Sequence, residues 1–236
     1  MWPKAASTTS KTLTGKAALV GGSSFGIGAT MARELSRRGA HVIINYPFPA
    51  KKGRAEEVLC SLLGVARSII VEADFSTLTG PQLLAAAAAA EFRKIDILVN
   101  NTGIGAFSPL DTPDDADRGT LLLTRACLKY LSQEGSRIIN ICSSTSRDPI
   151  SHTTIYAGSK GMIERFTRCW ARKLPHKYWC TVNSIASGPV AVGQMLSWPQ
   201  EFLESLRANF DRAPFAPKSS WRNGVYLPVT DGSTIC

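Results

Sequence analysis

Residues 16–32, Lys16-Ala17-Ala18-Leu19-Val20-Gly21-Gly22-Ser23-Ser24-Phe25-Gly26-Ile27-Gly28-Ala29-Thr30-Met31-Ala32, decide the fold. The run 16–20 reads as a short strand, apolar from Ala17 to Val20, the pattern of a strand buried on both faces. The glycine loop Gly22-x-x-x-Gly26-Ile27-Gly28 follows at once. Residues 29–38 then read as a helix, which Gly39 stops in the manner of a C-cap. Strand, glycine turn and helix, in that order, are the context in which such a loop holds a pyrophosphate. Glycines let the backbone turn tightly and approach the phosphates, and the helix N-terminus offers unpaired N–H groups and a positive dipole end. Gly22, Ser24, Gly26, Ile27 and Gly28 are therefore candidate dinucleotide-binding residues.

Outward from this unit the same rhythm repeats. Strands are expected at 41–45, 68–72, 95–100, 137–142 and 180–186, and helices at 51–63, 81–92, 119–132 and 153–173. Alternation at this spacing implies βαβ units and a parallel sheet covered on both faces. The expected fold is α/β, a single doubly wound Rossmann-type domain over 15–236, preceded by a polar, disordered tail at 1–14. After Gly193 the pattern weakens into a helix at 199–210 and a proline-containing loop.

Composition narrows the function class. A chain of 236 residues with 44% hydrophobic content can bury a sizeable core. No apolar run reaches the roughly 18 residues of a membrane span, and the N-terminus lacks the apolar centre of a secretion signal. A cytoplasmic protein is expected, with no membrane partner. The six cysteines show no C-x-x-C pair and the three histidines are scattered, so neither a disulfide framework nor a metal site is expected. A net charge of +9 raises the question of nucleic acid. The basic residues are dispersed in short pairs such as Arg37-Arg38 and Lys51-Lys52, without a zinc-finger, RNP or basic-helix pattern. A solvated basic surface that favours anionic ligands fits better, and no nucleic-acid partner is expected.

The chemistry points to Tyr156 and Lys160. One helical turn apart, they share a face of the 153–173 helix, so an ammonium can sit beside a phenol. A free tyrosine has a pKa of about 10, and a neighbouring cation lowers it. Ser143 ends the apolar run Ile138-Ile139-Asn140-Ile141-Cys142, where a hydroxyl can meet them. Ser143, Tyr156 and Lys160 are the candidate catalytic residues.

The end of the second strand bears on the choice of nucleotide. An aspartate there would repel a 2′-phosphate, but this strand ends Asn45-Tyr46-Pro47, with Lys51 and Lys52 beyond. Ser24, Arg38, Asn45 and the lysines could accept the phosphate, so NADP(H) is the expected cofactor. Asp74 could bind the adenine amino group, and Asn100 is placed to meet the adenosine ribose.

Taken together, Gly22-x-x-x-Gly26-Ile27-Gly28, Asn100-Asn101-Thr102-Gly103, Ser143, Tyr156-x-x-x-Lys160 and Gly188-Pro189-Val190 resemble the short-chain dehydrogenase/reductase family, in its order and over roughly 15–195. The run Tyr156-Ala157-Gly158-Ser159-Lys160-Gly161-Met162-Ile163-Glu164, with Asn45-Tyr46, is most similar to fungal NADPH-dependent reductases of polyketides, of the hydroxynaphthalene and versicolorin type. The resemblance implies hydride transfer between the nicotinamide and a carbonyl or alcohol carbon of a small, polyketide-like secondary metabolite. It implies Tyr156 as proton donor, and Lys160 as a cation that lowers the tyrosine pKa and holds the nicotinamide ribose. Ser143 would then bind the substrate oxygen, and the Val190 backbone would serve the nicotinamide.

Three departures from the family pattern stand in the sequence. The segment before Gly119 is short, and no asparagine lies between Asn101 and Asn140 to complete the family's tetrad. Ser187 replaces a proline, and Val192 stands where a threonine usually binds the carboxamide. The C-terminal end lacks the family's closing segment. These departures motivate an alternative reading, a degenerate member that binds dinucleotide without efficient catalysis. The family packs a partner subunit against the helix at 119–132, so a homo-oligomer is a candidate state, with its usual interface shortened.

Overall fold

The structure is a computed structural model, and it describes residues 11–63, 66–103, 118–147, 149, 153–188, 190, 200, 201 and 204. Strands and helices alternate: β1 (Ala17–Val20), α1 (Gly26–Arg37), β2 (His41–Tyr46), α2 (Lys52–Cys60), β3 (Ile69–Glu72), α3 (Gly80–Phe92), β4 (Ile97–Asn100), α4 (Gly119–Cys127), β5 (Ser136–Ser143), α5 (Thr154–Lys173), the short α6 (Pro175–Tyr178) and β6 (Cys180–Ser187). All five pairings are parallel, in the order β3-β2-β1-β4-β5-β6.

The period of two along the strands explains the layering. Ala17 and Leu19 of β1, with Ile43, Leu98, Ile138 and Val182, face Leu84, Ala85 and Ala88 of α3 and Leu123 and Cys127 of α4. Ala18 and Val20, with Val42, Ile44, Val99 and Ile141, face Ala29 and Ala32 of α1 and Ala55 and Val58 of α2. Leu19, Ile43, Ile44, Leu98 and Ile138 are fully buried. Each such side chain contributes about 1.5–3 kcal/mol relative to exposure. The small residues Gly28, Ala29 and Ala32 on the inner face of α1 let that helix lie close to the sheet.

The strand order reverses at β1, which lies between β2 and β4. In open α/β sheets the crevice at such a switch point, beyond the carboxyl ends of the strands, is where ligands bind.

Two sequence expectations change at the edges. Residues 11–14, read as the end of a disordered tail, are folded. Leu13 packs against the α1 side of the core, and its N–H donates to the Arg38 carbonyl at 2.9 Å. The apolar leucine anchors an otherwise polar turn. The helix expected at 119–132 ends at Cys127 and tightens into a 3₁₀ turn, Leu128–Tyr130. Residues 1–10 and 104–117, and most of the region after Val190, lie outside the described residues.

Candidate active site

The glycine loop crosses the carboxyl ends of β1, β2 and β4 and is held by all three. Gly21 N–H donates to the Val99 carbonyl at 2.9 Å, and Gly22 N–H to the Asn45 side-chain oxygen at 2.9 Å. Ser23 and Ser24 N–H groups donate to the Asn45 carbonyl at 3.2 and 3.1 Å. The Asn101 amide donates to the carbonyls of Gly21 (2.9 Å) and Gly22 (3.2 Å). Gly22 adopts φ +60°, which a side chain would disfavour. At Gly28 a Cβ would stand 2.4 Å from the Gly22 carbonyl oxygen, so only glycine lets α1 begin so close under the loop. The first turn of α1, carrying Gly26, Ile27 and Gly28, has no acidic residue and no side-chain cap. Its dipole and amides are thus left to attract an anion. This cradle fits a dinucleotide pyrophosphate.

Several residues expected to touch the adenosine end make hydrogen bonds or ion pairs within the chain. Asn45 is almost fully buried. Its oxygen accepts from Gly22, and its NH₂ donates to the carbonyls of Ala73 (3.0 Å) and Tyr46 (3.2 Å). It braces the loop and β2. Arg38 caps the far end of α1 and pairs with Glu34 at 2.7 Å, a helix length from the loop. Asn100, on the inward parity of β4 with Leu98, turns away from the cleft. Its NH₂ donates to Thr124 Oγ1 (2.8 Å) and Asn140 Oδ1 (2.7 Å), and Asn140 donates to Thr167 Oγ1 (2.8 Å). This chain ties β4, β5, α4 and α5 together. Asp74 lies past β3, where its Oδ1 accepts from Ser76 N–H at 2.9 Å. Arg54 reaches the loop, its guanidinium 5.1 Å from the Phe25 ring centroid, and Lys51 lies over the Phe48 ring just past β2. Lys52 pairs with Glu56 at 3.8 Å.

Ser143, Tyr156 and Lys160 come together as the spacing implies. Ser143 ends β5 and is buried, and its hydroxyl acts on the Tyr156 phenol of α5. Lys160, also buried, lies with Nζ 5.6 Å from the Tyr156 ring centroid and donates to the Ile141 carbonyl at 2.9 Å. A Cβ at Gly103 would be 3.0 Å from Nζ, so the ammonium reaches the start of the loop after β4, just past the Asn101 that holds the glycine loop. Burial pushes the Tyr156 phenol above its ordinary value. The Ser143 hydrogen bond works against that rise, while Cys142 adds to it. The net direction is upward, opposite to the lowering expected from Lys160, because the ring is desolvated.

Val190 is half-buried, beyond the end of β6 at Ser187, which is in register with Ser143. Val192, Phe107, Met195, Trp198 and Phe202, the other residues read as carboxamide or pocket positions, lie outside the described residues. Sequence reading passed over Asn101, Thr145, Asn140 and Glu164. Strand parity is the signal for the first: if Asn100 shares the inward side with Leu98, Asn101 must face the loop. Among the described residues no group of three or more His, Cys, Asp or Glu side chains could hold a metal ion, and no helix is long and apolar enough to cross a membrane.

A doubly wound parallel sheet with a phosphate cradle at its switch point and a Ser-Tyr-Lys cluster beside it defines a Rossmann-type oxidoreductase. A family model for short chain dehydrogenases matches residues 16–201, and the chain belongs to that family. It is 36% identical over 217 residues to the short-chain dehydrogenase/reductase FrzI of a Cladobotryum species, covering 86% of this chain and 83% of that protein. It is 38% identical over 187 residues to the hydroxynaphthalene reductase arp2 of Aspergillus fumigatus, covering 75% of this chain and 67% of that protein. Among solved structures it resembles a short chain dehydrogenase from Burkholderia cenocepacia in complex with NADP, with a TM-score of 0.78 and 29% identity over 88% of this chain and 87% of that one. The likeness to fungal secondary-metabolite reductases read from the Tyr156–Glu164 run is thereby borne out.

Proposed function

We propose that the chain is an NADP-dependent reductase of a small carbonyl compound, polyketide-like in class, with Tyr156 as the proton donor. The observation that carries this reading is the convergence of Ser143, Tyr156 and Lys160 beside a glycine loop built for a pyrophosphate. The bound nicotinamide would supply or accept the hydride. Ser143 would donate to the substrate oxygen and Tyr156 would hand it a proton as negative charge develops there, within hydrogen-bond reach. Lys160 would orient the nicotinamide ribose and hold positive charge near the phenol. A phenol is protonated at neutral pH and can therefore serve as the acid in a reduction. Gly22, Ser24, Gly26, Ile27 and Gly28 would carry the pyrophosphate on backbone N–H groups, and Asp74 and Val190 would line the two ends of the cofactor.

For the nucleotide, the absence of an acid at the end of β2 and the basic residues Lys51 and Arg54 favour a 2′-phosphate. The Burkholderia relative, described as an NADP complex, agrees with that choice. Purified chain should bind NADPH more tightly than NADH by calorimetry, and should oxidise NADPH with a panel of diketones, quinones and polycyclic aromatic ketones. Tighter NADH binding would overturn the cofactor assignment. The missing asparagine between Asn101 and Asn140 favours a second reading, a member that binds dinucleotide without efficient turnover. NADPH binding with no oxidation across the panel would select that reading instead.

A further inference from the structure

Glu164 lies on α5 one turn beyond Lys160, and its side chain is 16% exposed. Its two carboxylate oxygens gather donors from two directions. From α5 itself, Arg168 Nη2 donates to Oε1 at 2.7 Å. From the 3₁₀ turn Ser144–Ser146 and the residue after it, Ser146 Oγ donates to Oε2 at 3.0 Å and Arg147 Nη2 to Oε1 at 2.7 Å. The two guanidinium groups and the Ser146 hydroxyl hold the Glu164 carboxyl down at about 2, against a smaller opposing push from burial.

The same turn carries the groups that fix Ser143. Thr145 donates to Ser143 Oγ through its hydroxyl at 2.9 Å and its N–H at 3.3 Å. The Ser143 hydroxyl is therefore set by the turn, on the side of the strand end that α5 covers with Tyr156. The turn follows β5, whereas Tyr156 and Lys160 ride on α5, and Glu164 spans the two.

We propose that Glu164 is a positioning residue, a carboxylate clamp that fastens the Ser144–Ser146 turn to α5 and so places the Ser143 hydroxyl, held by Thr145 of that turn, relative to the Tyr156 phenol. The proposal rests on the functional reading above for the importance of that contact, but the contact itself can be measured without substrate. An exposed ion pair of this kind contributes little. Here the carboxylate is largely buried and shared between two elements that each carry part of the site, which is where a displacement is felt in the chemistry.

The test is an ultraviolet titration of the phenols, with the Tyr156→Phe variant subtracted to isolate Tyr156. Glu164→Gln should raise the Tyr156 pKa, because the Ser143 hydrogen bond that holds it down is loosened. A purely electrostatic role gives the opposite sign, since Arg147 and Arg168 would be left with uncompensated positive charge. An unchanged or lowered pKa therefore overturns the proposal. Arg147→Gln, which cuts the turn side of the clamp, should reproduce the rise, and Arg168→Gln, which leaves the turn fastened, should not. Equal shifts from both arginine variants would also overturn it, and these variants keep the test open if Glu164→Gln folds poorly. In turnover, Glu164→Gln should lower kcat by about tenfold in the parent chain and by less than about twofold in a Ser143→Ala background, with NADPH affinity unchanged. Fully additive losses would count against the clamp. If Ser143→Ala alone leaves kcat intact, the catalytic reading fails, while the titration still decides the clamp.

Discussion

At the scale of single residues, burial and hydrogen bonding decide what a side chain can do, and Tyr156 and Asn45 illustrate it in opposite ways. Burial raises the phenol of Tyr156, with the Ser143 bond working against it. A group that must donate a proton stays competent below its pKa. Reductive turnover should therefore hold through neutral pH and decline only as pH rises past the ordinary phenol value of about 10. A pH–rate profile for kcat that falls between pH 7 and 8 would contradict this. Asn45 was legible as the residue without a charge at the end of β2, but its role was not. A buried amide must satisfy its hydrogen bonds locally, and which partners it finds there depends on packing that spacing does not show. Asn45→Asp keeps an acceptor for Gly22 N–H but loses the donors to Ala73 and Tyr46. It should destabilise the chain by about 1–3 kcal/mol in a denaturant titration. An unchanged midpoint would show that the two lost donors matter little.

Elements were read well because each carries its own period and stop signal. β1, the glycine loop and α1 form a unit in which a continuous apolar strand, a glycine turn and a helix of small inward residues each require the next. Gly28→Ala tests that unit. The added methyl would stand 2.4 Å from the Gly22 carbonyl oxygen and 2.6 Å from the Asn101 amide nitrogen. Backbone must move to admit it, so the variant should lose at least about tenfold in affinity for either nucleotide and unfold at a lower temperature. Unchanged calorimetric titrations would show that the loop tolerates the shift. The polar chain Asn100–Asn140–Thr167 was harder to foresee. It joins residues distant in sequence through the register of β4 with β5, where Asn100 stands opposite Asn140. Only pairing, which no local pattern encodes, brings the two amides together.

Across the whole molecule, chemistry gathers at the carboxyl ends of the strands, while the opposite end of the sheet carries an ion cluster. There Asp96 is almost fully buried; it accepts from Ala17 N–H at 2.9 Å and Lys16 Nζ at 3.1 Å, with Lys94 at 3.6 Å. Burial alone would raise its pKa, but the amide and the two lysines prevail and hold it below the ordinary carboxylate value. Glu164 is likewise held at about 2. Carboxylates depressed in the folded chain add stability that is fully present above their unfolded values, near 4. It is lost as pH falls through the folded ones. Acid unfolding should accordingly set in as pH drops from about 4.5 towards 2, and Asp96→Asn should soften that dependence while lowering stability at pH 7. A variant with an unchanged acid profile would remove Asp96 from the account. The alternating strands and helices of a parallel sheet and the Ser-Tyr-Lys cluster were readable from apolar periodicity and spacing, whereas the direction of the phenol's pKa depended on packing that spacing does not specify. The central claim is that Tyr156 passes a proton to a substrate reduced at the expense of NADPH. Its most direct measurement is NADPH oxidation by the parent chain and by Tyr156→Phe on the carbonyl compound the parent turns over best, with NADPH affinity determined for both. The account predicts a loss of about 10²- to 10⁴-fold in kcat with binding within about twofold of the parent; a phenylalanine variant that keeps most of its turnover would contradict it.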